Sequence, residues 1–307
     1  MVRATEDYRR YLDPAVLAKI SGLDLRARRL VQGFISGMHR SPHRGFSVEF
    51  AEHRKYSQGD DIRFIDWRVY GRTDKHYVKQ YEQETNLQLL MLVDCSDSMN
   101  YRSASSALSK REYAITAAAA LAYLALQQSD AVGVATFDTV LHRVTRTSNN
   151  PAQWKAVVQA LEQSAGTGKT SFRTVLDQLA ETLGRRHMVV ILSDLFGETH
   201  GVLSGLKHLR HRGHEPIVLH VLDDAELNFP FYKPVRFRGL EEQGSLMTEP
   251  RVMRERYLQE IRAFVAKVRR GCHEQRVDYD VFNTSDPMSA TLGTFLATRA
   301  ARVSRRR

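Results

Sequence analysis

Short apolar runs alternate with longer helical patterns through most of the chain after residue 86. The run over residues 87–93 is almost continuously apolar and ends at Asp94, which is typical of a strand buried on both faces of a parallel sheet. An Ala- and Leu-rich pattern follows over residues 110–128 and predicts a strong helix. This alternation recurs about five times, which predicts an α/β domain with a mostly parallel sheet and helices on both faces. Further strands are predicted over residues 131–137, 140–144, 187–193, 216–222 and 277–282, and further helices over residues 151–164, 172–183, 199–212, 251–270 and 287–299.

The first 85 residues follow a different pattern. Loosely spaced apolar residues over 5–39 indicate a mostly helical segment. Short strands are predicted over residues 46–50, 62–70 and 76–83. No Gly-, Ser- or Pro-rich linker separates this region from the strand at residue 87, so we expect it to pack on the main domain. The predicted organisation is a mixed α/β module with short β segments at residues 1–85, the main domain at 86–298 and a basic tail at 299–307.

The composition is that of an ordinary globular protein. Of the 307 residues, 42% are hydrophobic and 26% are charged, which excludes a mainly disordered chain. The longest apolar stretch, residues 114–126, is shorter than the roughly 18–20 residues that a membrane span needs. The first 20 residues lack the apolar core of a secretory signal. The two cysteines provide no disulfide framework, so we expect a cytoplasmic protein without a membrane span.

The net charge of +10 raises the question of nucleic-acid binding. Residues 299–307 contain five arginines and no acidic residue, so they carry half of that charge and the main body is nearly neutral. A basic end of this kind is typical of a solvated, frayed terminus. Binding to nucleic acid through the tail and the N-terminal module stays an alternative, although the sequence shows no face that combines basic and aromatic residues.

Oxygen-bearing side chains follow two predicted strands, at the edge of the sheet where α/β proteins bind ligands. Asp94, Ser96 and Ser98 form a D-x-S-x-S pattern after the first strand, and Asp194 ends a later one. Thr170 precedes the helix at residue 172. Alternate residues of an extended turn point the same way, so we expect these side chains to face the surface and converge on Mg²⁺, with Mn²⁺ or Ca²⁺ as competitors. The structural alternative is that they are only turn and helix-cap residues.

The main domain resembles a von Willebrand factor type A domain in the order of these residues and in the small Ser193 before the last acid. The resemblance implies a Rossmann-like type A fold with a metal-ion-dependent adhesion site, in which a carboxylate of a protein partner completes the coordination of the metal. Thr167 competes with Thr170 for the threonine position. The implied metal ligands are Asp94, Ser96, Ser98, Thr170 and Asp194.

A second resemblance extends over almost the whole chain. It is carried by Glu49-Phe50, by Arg54-Lys55-Tyr56, by the run G-D-D-I-R-F-I-D-W over residues 59–67, and further on by residues 223–230 with Glu226, by Leu240-Glu241, by Tyr257 and by residues 292–299. These motifs are similar to the bacterial family called domain of unknown function 58. Members of that family are often encoded beside MoxR-type AAA+ ATPases, so the resemblance implies an adaptor or chaperone-like partner of such an ATPase.

We predict no catalytic residue and no cofactor-binding residue other than the metal ligands. The 12 histidines include no H-E-x-x-H motif and show no metal-ligand spacing with cysteine, and no serine lies in a nucleophile motif. No general base is evident near the D-x-S-x-S pattern. A metal-dependent hydrolase, in which Mg²⁺ activates water, stays an alternative to the protein-interaction function.

Overall fold

The computed structural model describes residues 22–38, 53–55, 70–71, 77–79, 88–164, 168, 170–184, 186–197, 199–233, 235–238 and 245–304. The chain divides into two units, one formed by residues 1–37 and 87–307 and the other by residues 38–86. We call the first the large unit. The described residues do not include the strand predicted at 46–50 or most of the strand predicted at 62–70. The predicted packing of the N-terminal module on the main domain also lies outside them.

In chain order the elements are α1 (Leu23–Met38), β1 (His53–Lys55), β2 (Tyr77–Lys79), β3 (Gln88–Asp94), α2 (Lys110–Gln127), β4 (Ala131–Phe137), β5 (Leu141–His142), α3 (Gln153–Glu162), α4 (Phe172–Thr182), β6 (Met188–Ser193), α5 (Thr199–His211), β7 (Glu215–Leu222), α6 (Asp224–Asn228), β8 (Val235–Arg238), β9 (Ser245–Thr248), α7 (Pro250–Glu274), β10 (Asp278–Asn283) and α8 (Met288–Ser304).

The large unit is built on a six-stranded sheet with the strand order β10-β7-β6-β3-β4-β5. Every neighbouring pair is parallel except β4 and β5, which pair antiparallel. Strand β4 spans the residues that the apolar pattern predicts, and the other parallel strands differ from their predicted bounds by one residue at one or both ends. The prediction of an α/β domain with a mostly parallel sheet is confirmed.

Both faces of this sheet are buried, because successive side chains of a strand point to opposite faces. In β3, Met91 and Val93 belong to the apolar cluster that contains the alanines of α2, whereas Leu90 and Leu92 belong to the cluster that contains α4 and α5. A strand enclosed in this way needs apolar residues at consecutive positions, which explains the almost continuous apolar run in the sequence.

Helix α2 begins at a defined residue because its first turn is capped. The Ser109 hydroxyl accepts a hydrogen bond from the backbone N–H of Glu112 (3.2 Å), and the Glu112 carboxylate accepts one from the backbone N–H of Ser109 (2.9 Å). This reciprocal pair is a capping box. It makes Lys110 the first residue of the helix, at the end that lies toward the carboxyl edge of the sheet.

Helix α1 is part of the large unit, whereas the sequence predicts one module over residues 1–85. Its buried residues, among them Leu23, Leu30 and Val31, join the same apolar cluster as α2. The Trp154 indole donates to the Asp24 carboxylate at 2.5 Å, which attaches α1 to α3. The physical reason is that the apolar stripe of α1 is buried against the large unit, so α1 does not group with residues 38–86.

The basic tail also differs from its prediction as a frayed end from residue 299. Helix α8 continues to Ser304, and residues 305–307 lie outside the described part of the chain. Arg299 and Arg302, one turn apart, both donate to the Asp278 carboxylate, at 2.6 and 3.0 Å. These ion pairs attach the end of the helix to β10 and neutralise part of its charge.

The sequence did not predict helix α6 or the antiparallel hairpin of β8 and β9. Both are short, so neither gives a clear periodicity. No helix within the described residues is long and apolar enough to cross a membrane.

Gly205 of α5 provides a test of the packing between α4 and α5. A Cβ atom added at Gly205 would lie 2.7 Å from the Leu176 Cβ atom, closer than real side chains approach. We expect Gly205→Ala to lower the free energy of unfolding by about 1–3 kcal/mol through overpacking, although alanine favours helix over glycine. Urea unfolding followed by circular dichroism measures this. Lys207→Ala, on the exposed side of α5, is the control and should change the free energy of unfolding by less than about 0.5 kcal/mol. Equal stability of Gly205→Ala and Lys207→Ala would contradict the prediction.

Candidate metal centre

The parallel pairing of β3 with β6 places two carboxylates at one edge of the sheet. Val93 pairs with Leu192, so Asp94 at the end of β3 lies beside Ser193 and Asp194 at the end of β6. Asp94 and Asp194 are both fully buried. The sequence predicts that these side chains face the surface, and the structure corrects this, because each carboxylate is enclosed by hydrogen-bond donors of the fold.

Asp94 is held by neighbouring donors on both of its oxygens. Its Oδ1 accepts from the backbone N–H of Ser96 at 2.9 Å, and its Oδ2 accepts from the Ser193 hydroxyl at 2.5 Å. The backbone N–H of Leu195 donates to that same hydroxyl at 2.8 Å, which fixes its orientation. Burial first, and the nearby Asp194 carboxylate second, raise the pKa of Asp94 to about 7. A cation at this position would therefore relieve an unfavourable charge.

The two serines of the motif converge, as their spacing predicts. The Ser96 and Ser98 hydroxyl oxygens lie 3.1 Å apart, on a turn that leads into a 3-10 helix (Asp97–Asn100). Cys95, between Asp94 and Ser96, turns the other way and lies in the apolar core.

The loop that carries Thr170 adjoins this serine turn. The backbone N–H of Asp97 donates to the carbonyl of Gly168 at 3.3 Å, and the backbone N–H of Ser171 donates to the carbonyl of Asp138, also at 3.3 Å. The Thr170 hydroxyl oxygen is buried and has no hydrogen-bond partner within the part of the chain that the structure describes. A buried hydroxyl without a partner is costly, so its oxygen is available for a ligand. Thr167 lies outside the described residues.

These donors fit Mg²⁺ in kind. The fold brings two carboxylates and three hydroxyls to the loops at one sheet edge, and hard oxygen atoms of this kind are the ligands of Mg²⁺ and Mn²⁺. Within the described ranges no group of three or more His, Cys, Asp or Glu side chains could hold a metal, so a metal here depends on the hydroxyls. The unpartnered Thr170 oxygen is the observation that favours a ligand at this position over a purely structural turn.

Lys110 is a further member of the site that the sequence did not predict. Its side chain is buried, and its Nζ donates to Asp194 Oδ2 and to Glu226 Oε1, at 2.7 Å in each case. Burial disfavours the charged form, but the two carboxylates outweigh it and raise the pKa of Lys110. The only signal in the sequence is a lysine at the first position of a capped helix, which ordinarily faces solvent.

Glu226 belongs to α6, which is fixed against the same edge of the sheet. Its carboxylate accepts from the backbone N–H of Asp223 at 2.8 Å, which completes a capping box. The buried Asp223 carboxylate accepts from the backbone N–H of Ser103 (3.2 Å) and from the Thr284 hydroxyl (3.1 Å). Asp223 therefore links the loop after β3 to the ends of β7 and β10, and α6 presents Glu226 to Lys110.

His220 supports Asp194 from inside the sheet. Its Nε2 lies 2.8 Å from the backbone carbonyl of Asp194 and its Nδ1 lies 2.7 Å from the Tyr279 hydroxyl. Because a carbonyl can only accept, Nε2 carries the proton and Nδ1 accepts from Tyr279. Burial lowers the pKa of His220 to about 4, which keeps the ring neutral near pH 7.

A family model described as "Protein of unknown function DUF58" matches residues 52–267 of this chain. Uncharacterized proteins from Mycobacterium bovis and Mycobacterium tuberculosis are 27% identical to it over 267 residues, which cover 85% of this chain and 83% of each relative.

Two solved structures are similar to the chain over most of its length. The conserved hypothetical protein BatB from Bacteroides thetaiotaomicron has 16% identity and a TM-score of 0.47, and the match covers 70% of this chain and 99% of that one. An aerotolerance-related membrane protein from Bacteroides fragilis has 16% identity and a TM-score of 0.43, and the match covers 69% of this chain and 99% of that one.

Alanine substitution of two hydroxyl residues of the site should change the stability by different amounts. Ser193→Ala removes a donor from the buried Asp94, so we expect it to lower the free energy of unfolding by about 1–3 kcal/mol. Thr170→Ala removes a buried oxygen that has no described partner, so without metal it should stay within about 1 kcal/mol of the wild type. Urea unfolding in EDTA measures both. A larger loss for Thr170→Ala than for Ser193→Ala would contradict these assignments.

Proposed function

The chain belongs to the DUF58 family, as its sequence motifs predict, and from that premise we propose that it is a non-enzymatic protein that binds a protein partner through Mg²⁺. The proposed fold of the large unit is of the von Willebrand factor type A kind, and the proposed site is a metal-ion-dependent adhesion site. The proposed metal ligands are Asp94, Ser96, Ser98, Thr170 and Asp194, with Mn²⁺ or Ca²⁺ as the competing ions.

The observation that carries this proposal is the unpartnered Thr170 hydroxyl oxygen beside a turn that already gathers Asp94, Ser96 and Ser98. Hydroxyl ligands are neutral, so they leave positive charge on a divalent ion. The bound ion would supply one exchangeable position for a carboxylate of the partner. A contact between a divalent ion and a carboxylate is much stronger than an exposed salt bridge.

The arrangement of His220 supports a binding function over hydrolysis. This histidine touches Asp194, but both of its ring nitrogens are engaged and burial lowers its pKa to about 4. A general base needs a free nitrogen and a pKa near the working pH. The other described groups that touch Asp94 and Asp194 are hydroxyls, backbone N–H groups and the Lys110 ammonium, and the two carboxylates themselves are proposed metal ligands.

The proposed partner is a MoxR-type AAA+ ATPase, and the proposed role is that of a cytoplasmic adaptor or chaperone-like protein. The resemblance to a family whose members are often encoded beside such ATPases supports this choice. The metal site would then bind an Asp or Glu side chain of the ATPase.

Metal binding is tested with Asp94→Asn, which keeps the shape of the side chain and removes its charge. We expect this variant to lose Mg²⁺ binding in isothermal titration calorimetry while circular dichroism shows an unchanged fold. Asp97→Asn is the matched control, because Asp97 lies in the same turn and, among the described residues, its carboxylate accepts only from the exposed Asn100 amide. Equal Mg²⁺ affinity in the wild type and Asp94→Asn would reject the metal site.

Partner binding is tested by co-purification with the MoxR-type ATPase of the source organism in Mg²⁺ and in EDTA. We expect the complex to need Mg²⁺, to persist in Asp97→Asn and to be lost in Asp94→Asn, because the partner carboxylate binds the ion. A complex that persists undiminished in EDTA would place recognition on another surface. Steady phosphatase or nuclease turnover that disappears in Asp94→Asn would instead favour the hydrolase.

A further inference from the structure

Lys110 occupies an unusual position for a lysine. Its side chain is 1% exposed, and its ammonium contacts one carboxylate from β6 and one from α6. The rings of Phe196 and Tyr101 lie 4.7 and 5.8 Å from Nζ, so aromatic faces enclose much of the rest of the charge. Lysine is rarely buried to this extent unless its charge is paired.

The ammonium and a divalent ion would compete for the same carboxylate. Asp194 Oδ2 accepts from Lys110 at 2.7 Å, and Asp194 Oδ1 accepts from the backbone N–H of Phe196 at 3.1 Å. Both oxygens of Asp194 are therefore engaged, whereas Thr170 has an oxygen without a described partner. Asp94 is also engaged on both oxygens, but its donors are neutral, whereas the Lys110 ammonium would repel a metal ion bound directly to Asp194.

Resting on the proposed function, we propose that Lys110 is a positioning residue that acts as an internal counter-ion of the metal site. It holds Asp194 away from direct coordination, so the metal rests on Asp94 and the hydroxyls. It also repels the divalent ion, which keeps binding reversible and leaves more positive charge on the ion for the partner's carboxylate.

Glu226 sets how strongly the ammonium acts on Asp194. The ammonium is shared between these two carboxylates at equal distances, and the capping box of α6 fixes Glu226 in place. If Glu226 loses its charge, the ammonium interacts with the Asp194 carboxylate alone. It then competes more strongly with the metal ion for that carboxylate. If Lys110 loses its charge, Asp194 is released and the repulsion disappears.

The test is the Mn²⁺ affinity of two variants, measured by electron paramagnetic resonance and by calorimetry. We expect Lys110→Met to bind Mn²⁺ about tenfold more tightly or better, and Glu226→Gln to bind it about threefold more weakly or worse. Lys207→Met removes an exposed lysine of α5 and is the control for the loss of one positive charge. A merely structural role of Lys110 would weaken binding in both variants, so the opposite signs distinguish the two roles.

Circular dichroism and urea unfolding show whether each variant folds. If Lys110→Met does not fold, Lys110→Gln replaces it in the same test, because its amide can still donate to the two carboxylates but carries no charge. Unchanged or weaker Mn²⁺ binding by a folded Lys110→Met, or unchanged or tighter binding by Glu226→Gln, would overturn the inference. Binding by Lys110→Met but not by the wild type would support the inference and reject the proposed function. Absence of binding in all of these proteins would overturn both.

Discussion

Asp94 and Asp194 end neighbouring parallel strands with their side chains fully buried, and two like charges in that position cannot remain without compensation. The surrounding structure supplies it from several elements. Ser193 and the backbone of Ser96 donate to Asp94, while Lys110 and the backbone of Phe196 donate to Asp194. The turn after β3, the start of α2 and the loop after β6 are all placed by this requirement.

Helix α6 takes part in the same compensation of buried charge. Lys110 needs a second carboxylate to balance its burial, and Glu226 provides it from a helix of only five residues. A helix that short has little stability of its own. It is held by its capping box and by Asp223, whose carboxylate joins the loop after β3 to the end of β10 through Ser103 and Thr284. The elements around the site therefore form one connected polar network.

This network gives the proposed metal site both neutral and negatively charged ligands. Three hydroxyls and two carboxylates lie at the sheet edge where we propose the metal site, and one of these carboxylates is already paired with a lysine. Such a site would hold a divalent ion less tightly than an all-carboxylate site, and the ion would stay more receptive to an outside acid. That property suits reversible binding of a partner, which is the function that we propose for this member of the DUF58 family.

The amino-acid sequence by itself determined the strands of the sheet, the sheet edge at which the candidate site lies and the D-x-S-x-S residues. A strand buried on both faces needs consecutive apolar residues, so β3, β4 and β6 are visible in a local window, and their ends locate Asp94 and Asp194. Only the tertiary structure decided that Lys110 is buried, that α1 belongs to the large unit and that α8 continues to Ser304 within the basic tail. The partners of Lys110 lie 84 and 116 residues away along the chain. No local pattern encodes a contact over such a separation, because burial of a charge depends on which groups the completed fold brings to it.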